Sequence, residues 1–131
     1  MPSLSIASKV KLDECHPDLK RLVEEVIKSM DVTVICGHRP KDEQELAFAE
    51  GRSKVHYPNS NHNMLPSNAV DIAPYPIDWN DVRRFYYMGG YVLATAERLG
   101  IKVRWGGDWS GNFDIKDQNF HDLPHIELIN P

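Results

Sequence analysis

The fold of this chain depends on one stretch, residues 60–76, which reads SNHNMLPSNAVDIAPYP. Asparagine, serine and proline in its first half interrupt any helical or strand pattern, so we expect an irregular loop there. The AVDIA segment at 69–73 is a short apolar run typical of a buried strand, yet Asp71 stands at its centre. Because an unpaired carboxylate is costly to bury, Asp71 must face a metal ion, an arginine or another cation.

The rest of the chain supplies further strands and several helices. Short apolar runs predict strands at 32–36 (VTVIC), 101–105 (IKVRW) and 125–129 (HIELI). Apolar residues at helical spacing predict helices over residues 16–30, 41–51 and about 80–99. A long loop rich in Asn, Ser and Pro, of the kind that is often functional, covers residues 52–68. This order predicts a single α+β domain, in which helices flank a small antiparallel sheet and long loops form the active site.

Composition limits the class of protein. The chain has 131 residues, 41% hydrophobic and 26% charged, which suits one globular domain with a real core. The net charge is −4 and basic residues do not cluster, which argues against a nucleic-acid partner. No window approaches the ~18 apolar residues of a membrane span, so we expect no membrane insertion. Two cysteines, Cys15 and Cys36, are too few for a disulfide framework, and we expect Cys36 to be a small buried hydrophobe.

Strand alternation places candidate metal ligands on one face of the sheet. His125 and Glu127 in HIELI point to one face, and Asp71 points away from its two apolar neighbours. With His62 from the loop, two histidines and one carboxylate make the protein half of a catalytic zinc site, which leaves a fourth position for water. Each residue alone has a simpler interpretation, since a single loop histidine such as His62 is usually a solvated surface residue.

Two further residues suit hydrolytic chemistry. Asp122 lies three residues before His125 in HDLPH, where its carboxylate could act as the general base of hydrolysis. Arg39 follows the first predicted strand in a GHRP turn, where it could stabilise an oxyanion or hold a substrate carboxylate. The alternative for Arg39 is a surface ion pair with Asp42 or Glu43.

Four sequence blocks, in chain order, resemble a known peptidase family. They read GHRPKDEQ, SNHNMLPSNAVDIAPY, WGGDW and HDLPHIEL, and the resemblance extends over about residues 16–128. The family is that of the zinc peptidases acting as D-Ala-D-Ala carboxypeptidases and L-alanyl-D-glutamate endopeptidases, and the chain is most similar to its small phage endolysins. The shared pattern is G-x-R followed by Gln, S-x-H with a later A-x-D, and a carboxylate three residues before a final histidine.

The resemblance implies a role for each matching residue. It implies zinc held by His62, Asp71 and His125, with Asp122 as the catalytic base. It also implies that Arg39 binds substrate or stabilises the tetrahedral intermediate. The fold that it implies is α+β with an antiparallel sheet, as the strand and helix pattern predicts.

The loop before Asp71 departs from the family pattern. Many members have seven residues from the histidine to the aspartate, whereas the interval from His62 to Asp71 is nine, and LPS replaces the glycine turn. We expect a longer loop and an intact site. His56 and His121 remain alternative ligands, and we expect Glu127 to act beside the ligands or within the sheet, not on the metal.

The implied function is that of an endolysin, a zinc-dependent peptidoglycan hydrolase that cleaves the L-alanyl-D-glutamate bond of cell-wall stem peptides. One alternative is a D-Ala-D-Ala carboxypeptidase or dipeptidase. Another is a non-catalytic zinc-binding interaction domain of the same fold, as in Hedgehog signalling domains. The presence of Asp122 and Arg39 favours the enzyme, because a purely structural zinc site requires neither.

The resemblance also implies a biological setting. We expect one catalytic domain over residues 1–131, with 1–15 as an N-terminal extension and no separate wall-binding module. The expected protein is a monomer, made in the host cytoplasm without a signal peptide and released to the periplasm after a holin-type partner permeabilises the membrane. The acidic segments GGDWSGNFDIKDQN and PIDWND could hold an additional calcium ion, although solvated loop acids are the preferred interpretation.

Overall fold

The computed structural model of the chain describes residues 2–131. Its helices are α1 (Ile6–Leu12), α2 (Pro17–Val26), α3 (Lys41–Ala49) and α4 (Val82–Leu99), and its strands are β1 (Val32–Cys36), β2 (Ala69–Pro74), β3 (Val103–Gly106) and β4 (Asp122–Leu128). The four strands form one sheet in the order β1-β2-β4-β3. All three strand pairs are antiparallel. The α+β class with a small antiparallel sheet is therefore confirmed.

The central strand β2 has a neighbour on each side. It pairs with β1 along one edge and with β4 along the other, and His125 is the direct partner of Asp71 in the β2–β4 ladder. The β1–β2 register shifts between Val34 and Cys36, so that Cys36 faces Asp71 from the other side. A shift of this kind re-aims side chains locally. Asp71 is thus flanked by both neighbouring strands at the middle of the sheet.

Two helices cover the apolar face of this sheet. The core of the chain joins one stripe from α2, one from α4 and the inward residues of the strands, among them Leu19, Leu22, Val26, Phe85, Met88, Val92, Val34, Val70, Ile72 and Ile126. Strand residues of opposite parity point away from this core. The opposite face of β2 and β4 is therefore free to carry Asp71, His125 and Glu127.

A glycine pair in α4 predicts close packing, and the structure separates the two positions. A Cβ atom at Gly89 would lie 2.3 Å from the ring of Trp105, so only glycine allows α4 to approach β3 here. The same atom at Gly90 would meet nothing within 4 Å. Close packing therefore accounts for Gly89 and does not account for Gly90.

Helix α1 is the element that the sequence pattern does not reveal. The segment that looks like a plain extension is helical over Ile6–Leu12, and only Ser8 and Leu12 in it are buried. It attaches to the sheet because the Val34 backbone N–H donates to the buried Ser8 hydroxyl at 3.0 Å. With Ile6 and Val10 exposed, the helix has no apolar stripe from which it could be predicted.

Element boundaries differ from the sequence pattern mainly at prolines and helix ends. Helix α2 ends at Val26, with turns over 27–30, and β4 begins at Asp122 and continues through Pro124. The candidate base therefore lies on a strand. The predicted loop 52–68 contains a single 3-10 turn, Asn61–Asn63, which carries His62. Within the residues described here, no helix combines the length and apolar character needed to cross a membrane.

Candidate metal centre

Three of the predicted ligands converge to a small triangle of atoms. His62 Nε2 lies 3.1 Å from Asp71 Oδ1 and 3.3 Å from His125 Nδ1, and the third edge, from His125 Nδ1 to Asp71 Oδ1, is 3.2 Å. All three side chains are buried. Zinc bonds of about 2.0–2.2 Å at tetrahedral angles separate ligand atoms by about 3.3–3.6 Å. The triangle is therefore close in size to the one that a zinc ion requires, with edges at or slightly below that range.

The longer loop still orients His62 toward Asp71. The Ser60 hydroxyl accepts from the His62 backbone N–H at 3.2 Å, and the Asn63 side chain accepts from the Ser60 N–H at 3.0 Å. The His62 carbonyl in turn accepts from the backbone N–H of Arg39 at 2.8 Å. These bonds hold the turn that carries His62, and across the nine-residue interval its ring still reaches Asp71.

Hydrogen bonds on the outer side of both imidazoles fix which nitrogen faces the centre. His62 Nδ1 donates to the Gly37 carbonyl at 2.8 Å, and His125 Nε2 donates to a Glu127 oxygen at 2.7 Å. In a neutral imidazole the other nitrogen then carries a lone pair. Three electron-pair donors therefore face one another in the triangle, an arrangement that suits a cation. Glu127 contacts His125 from outside the triangle, in the position expected for it.

The electrostatic surroundings of the same groups favour positive charge at the centre. Burial lowers the pKa of His62, but the Asp71 carboxylate and Cys36 raise it more, to about 10. Burial also lowers the pKa of His125, but its hydrogen bonds to Asp71 and Glu127 have the larger effect and raise the pKa to about 9. Burial raises the pKa of Asp71, but the two histidines hold it well below its usual range.

Cys36 offers an alternative ligand set that the sequence does not suggest. Cys36, His62 and Asp71 have possible ligand atoms within 4.8 Å of one another. The Cys36 Sγ, however, lies 3.9 Å from His62 Nδ1, which is the nitrogen that donates to Gly37 and not the one that faces Asp71. His125 therefore completes the triangle better than Cys36 does.

The expectation that Cys36 is buried is wrong. Its side chain is half-buried, because the register shift beside it turns the side chain toward the site.

Arg39 and Asp122 border the triangle on its open side. Arg39 Nη2 lies 3.6 Å from Asp71 Oδ2, the carboxylate oxygen that the histidines leave free. Across residues 2–131 no other carboxylate lies within 4.0 Å of Arg39, so the surface ion pair with Asp42 or Glu43 does not form. Asp122 Oδ2 lies 3.9 Å from His125 Nδ1.

The Asp122 carboxyl titrates higher than an ordinary aspartate. Burial and the negative charge of Asp71 raise its pKa to about 6, against the opposing effect of His125, His62 and Arg39. A carboxyl with this pKa is ionised at neutral pH and still basic enough to accept a proton from water. The side chain thus has the properties of a general base.

Gln44 is a site residue whose role sequence reasoning leaves unassigned. It is buried in α3, and its Oε1 accepts from Arg39 Nη1 and from Asn63 Nδ2, each at 3.1 Å. Its Nε2 donates to the Ser53 hydroxyl at 2.9 Å and to the Val55 carbonyl at 2.8 Å. Gln44 therefore fixes Arg39 relative to the loop of His62. The signal for it was the Gln that follows G-x-R in the family pattern.

The two alternative histidines are engaged elsewhere. His56 Nδ1 lies 2.8 Å from Glu45, and its ring packs on Phe48 at a centroid distance of 3.7 Å. His121 borders the cleft, where its Nδ1 lies 3.4 Å from the Tyr86 hydroxyl. Neither contributes an atom to the triangle.

Open space lies on both sides of the centre. One cavity of about 440 Å³ is bordered by Arg39, Asp71 and Asp122, together with aromatic residues such as Trp79 and Phe120. Another, of about 330 Å³, is lined by residues that include Asp122, His125, Phe120, Lys54 and Trp109. Asp122 and Phe120 border both cavities, so the two spaces adjoin each other beside the centre, where an extended ligand could occupy both.

The acidic loop after β3 does not gather into a comparable cluster. Asp117 accepts from Ser110 at 3.2 Å and from Asn112 at 2.6 Å, and Asp108 accepts from the Phe113 N–H at 3.0 Å. Within residues 2–131, no three acidic side chains of this loop bring ligand atoms as close together as those of His62, Asp71 and His125. The calcium site therefore stays a prediction from sequence.

Known L-alanyl-D-glutamate peptidases are similar to this chain over almost its whole length. The family model for the phage L-alanyl-D-glutamate peptidase matches residues 2–129. The L-alanyl-D-glutamate peptidase of Escherichia phage T5 is 28% identical over 130 residues, covering 93% of this chain and 94% of the relative. The peptidoglycan L-alanyl-D-glutamate endopeptidase CwlK of Bacillus subtilis (strain 168) is 31% identical over 117 residues, covering 78% of this chain and 63% of the relative.

A solved structure agrees with these sequence matches. The crystal structure of the Serratia marcescens L-Ala D-Glu endopeptidase ChiX superposes with a TM-score of 0.75 at 26% identity. The match covers 97% of this chain and 90% of ChiX. The two proteins therefore share their fold over almost the whole of this chain.

Proposed function

This chain belongs to the phage L-alanyl-D-glutamate peptidase family and is a peptidoglycan hydrolase, and we propose that it cuts the L-alanyl-D-glutamate bond with one zinc ion held by His62, Asp71 and His125. The observation that carries this proposal is the triangle of His62 Nε2, Asp71 Oδ1 and His125 Nδ1, with edges of 3.1–3.3 Å. Two neutral imidazoles and one carboxylate are the ligand set of catalytic zinc sites, which keep a further position open.

When bound, zinc supplies a Lewis acid that lowers the pKa of a water molecule toward 7 and polarises a carbonyl group. The fit rests on the donor set: three lone-pair donors face one another, and the N–H groups of both histidines are used by Gly37 and Glu127. These outer contacts hold each ring in the tautomer that a metal ligand needs.

Asp122 and Arg39 carry the proton transfer and charge stabilisation. The Asp122 carboxylate accepts a proton from the attacking water as the new C–O bond forms at the scissile carbonyl. The same carboxyl then gives that proton to the leaving amine as the C–N bond breaks. Arg39, held by Gln44, donates hydrogen bonds to the negative charge that develops on the carbonyl oxygen.

The cavities on both sides of the centre support an endopeptidase. Cleavage inside a peptide needs space beyond both residues of the scissile bond, and the centre has about 440 Å³ on one side and about 330 Å³ on the other. A D-Ala-D-Ala carboxypeptidase or dipeptidase would need a cleft closed around a terminal carboxylate. A non-catalytic zinc domain would not need Asp122 and Arg39 beside the triangle.

The proposal places this activity at the cell wall. We infer that the chain acts as a monomeric endolysin on stem peptides in the periplasm, after synthesis in the host cytoplasm. Passage to the wall would then depend on a membrane made permeable by a holin-type partner.

Paired synthetic substrates test the function directly. One peptide contains an internal L-alanyl-D-glutamate bond, and the other ends in D-Ala-D-Ala. We expect cleavage of the first alone, its loss in a chelator and its return when zinc is added. Hydrolysis of only the D-Ala-D-Ala bond would reassign the enzyme to the carboxypeptidases, and cleavage that a chelator leaves unchanged would contradict the zinc centre.

A further inference from the structure

We propose that Lys54 and the smaller cavity form an anion subsite that binds the free carboxylate of the D-glutamyl residue on the leaving side of the scissile bond. This inference rests on the proposed function, because it assigns one residue of that substrate to one side of the centre. It makes Lys54 a specificity-determining residue for the reaction.

The chemistry of the substrate calls for a cation at this position. A glutamyl residue whose amine forms the scissile bond has two carboxyl groups, and only one continues the peptide. The other remains as a carboxylate a few bonds from the leaving nitrogen. That nitrogen must approach Asp122 to receive its proton, so the substrate carboxylate lies near a second negative charge. A cation on the same wall offsets the repulsion.

Lys54 has the required position. The cavity of about 330 Å³ is lined by Lys54 and also by Asp122 and His125. The Lys54 ammonium lies 5.0 Å from the centroid of the Phe120 ring, where a cation–π contact can hold it against the wall. Phe120 stacks on Trp109 at 6.2 Å.

Trp109 continues this stack toward the metal centre. Its ring centroid lies 5.5 Å from that of His125, and its indole N–H donates to the Phe120 carbonyl at 2.8 Å. The two aromatic rings therefore form a continuous surface from Lys54 to the triangle. A substrate residue bound against this surface would lie close to Lys54 on one side and to His125 on the other.

Lys54 is also a cation of this cavity that has no carboxylate partner. In residues 2–131 no carboxylate lies within 4.0 Å of its ammonium. The other acid of the wall, Glu127, is occupied by Arg104 at 3.1 Å and by His125 at 2.7 Å. The remaining polar residues that line the cavity are neutral: Ser53, Asn59, Ser60 and Asn61. A substrate carboxylate entering here would meet one unpaired positive charge.

Arg52 provides a matched comparison on the opposite side. It borders the larger cavity together with Arg39, but its guanidinium is already paired with Glu50 at 2.7 Å. Removing its charge alters the other half of the cleft and leaves the smaller cavity as it is. Arg52→Met is therefore the control for Lys54→Met, since both variants remove one exposed cation near the centre.

The test uses two synthetic peptides that differ only in the glutamyl residue. One has its free carboxylate, and the other has a carboxamide in that place. The measured quantity is the ratio of the two kcat/KM values for the parent chain, Lys54→Met, Lys54→Arg and Arg52→Met. We expect the parent to prefer the carboxylate by about tenfold, the size of one charge-assisted hydrogen bond. The ratio should fall to near one in Lys54→Met, recover in Lys54→Arg and stay high in Arg52→Met.

The outcomes separate the subsite from the proposed function. Cleavage with the same preference in the parent and in Lys54→Met would overturn the subsite while the hydrolase assignment stands. A preference that disappears in Arg52→Met instead would place the carboxylate in the larger cavity and also overturn it. If the parent chain cleaves neither of the two peptides, the proposed function is overturned and the subsite with it.

Discussion

Asp71 and His125 are direct partners in the antiparallel β2–β4 ladder, and Asp71 Oδ1 lies 3.2 Å from His125 Nδ1. Two of the three candidate ligands are thus set by strand register alone. A slip of one residue between these strands would turn one ligand toward the core and replace it with an apolar side chain. The β2–β4 register that places Val70 and Ile126 in the core also places Asp71 beside His125 in the candidate metal centre.

Asp122→Asn should separate catalysis from metal binding. The amide cannot accept a proton from water, so we expect activity to fall about 10²- to 10⁴-fold. Zinc content should remain that of the parent chain, because the triangle does not include Asp122. Both are measured by peptide cleavage and by metal analysis of the dialysed protein. Full activity in this variant would remove Asp122 from the mechanism.

The ligand set can be tested by comparing His125→Ala with Cys36→Ser. We expect His125→Ala to lose zinc during dialysis, because it removes one corner of the triangle. Cys36→Ser should keep about one zinc ion per chain, because its sulfur faces the nitrogen of His62 that donates to Gly37. The opposite result, with zinc lost in Cys36→Ser and kept in His125→Ala, would show that the thiol is the third ligand.

Without metal, the stability of the chain should depend on pH through the two histidines of the triangle. Despite burial, contacts with Asp71 raise the pKa of His62 from 6.5 to about 10 and that of His125 to about 9. Their contribution to stability is therefore full below about pH 6.5 and is lost as pH rises through 9 to 10. We expect the urea midpoint of the chelated protein to be lower at pH 9.5 than at pH 6.

Zinc should reverse this trend, and the zinc-loaded protein is the control. Metal binding displaces the protons from both histidines, so the stabilisation by zinc should grow as pH rises over the same interval. Equal urea midpoints of the chelated protein at pH 6 and pH 9.5 would contradict the charge balance described for the centre.

Gly89 and Gly90 form a matched pair for testing the packing of α4 on β3. Gly89→Ala would place a Cβ atom 2.3 Å from the Trp105 ring, and we expect a loss of about 1–3 kcal/mol in the free energy of unfolding. Gly90→Ala meets nothing within 4 Å and should stabilise the helix by about 0.5–1 kcal/mol. Chemical denaturation of both variants measures this, and a stabilising Gly89→Ala would contradict the contact.

Sequence patterns predicted most of the sheet and the candidate site, because both follow from residue alternation. The buried aspartate of AVDIA and the alternating residues of HIELI predict that Asp71 and His125 lie on the face of the sheet that points away from the core. No periodicity operates in the loop that carries His62, so its candidacy depended on its residue type and was strengthened by the resemblance to the family. The spacing of HDLPH likewise identified Asp122.

Features that depend on contacts distant in sequence were not predictable. Helix α1 has no apolar stripe, and its attachment depends on the Ser8 hydroxyl meeting the Val34 N–H. The approach of Cys36 to the site comes from a register shift between β1 and β2, which no local pattern encodes. The bonds of Gln44 to Arg39 and to the 53–55 loop also required the folded chain.

The most direct test of the account is a digest of purified Gram-negative peptidoglycan, with and without a chelator, read by mass spectrometry for new termini. We expect new D-glutamyl N-termini and free L-alanyl C-termini that disappear in the chelator and return when zinc is added. Release of terminal D-alanine alone, or cleavage that continues unchanged in the chelator, would contradict the assignment of a zinc endopeptidase.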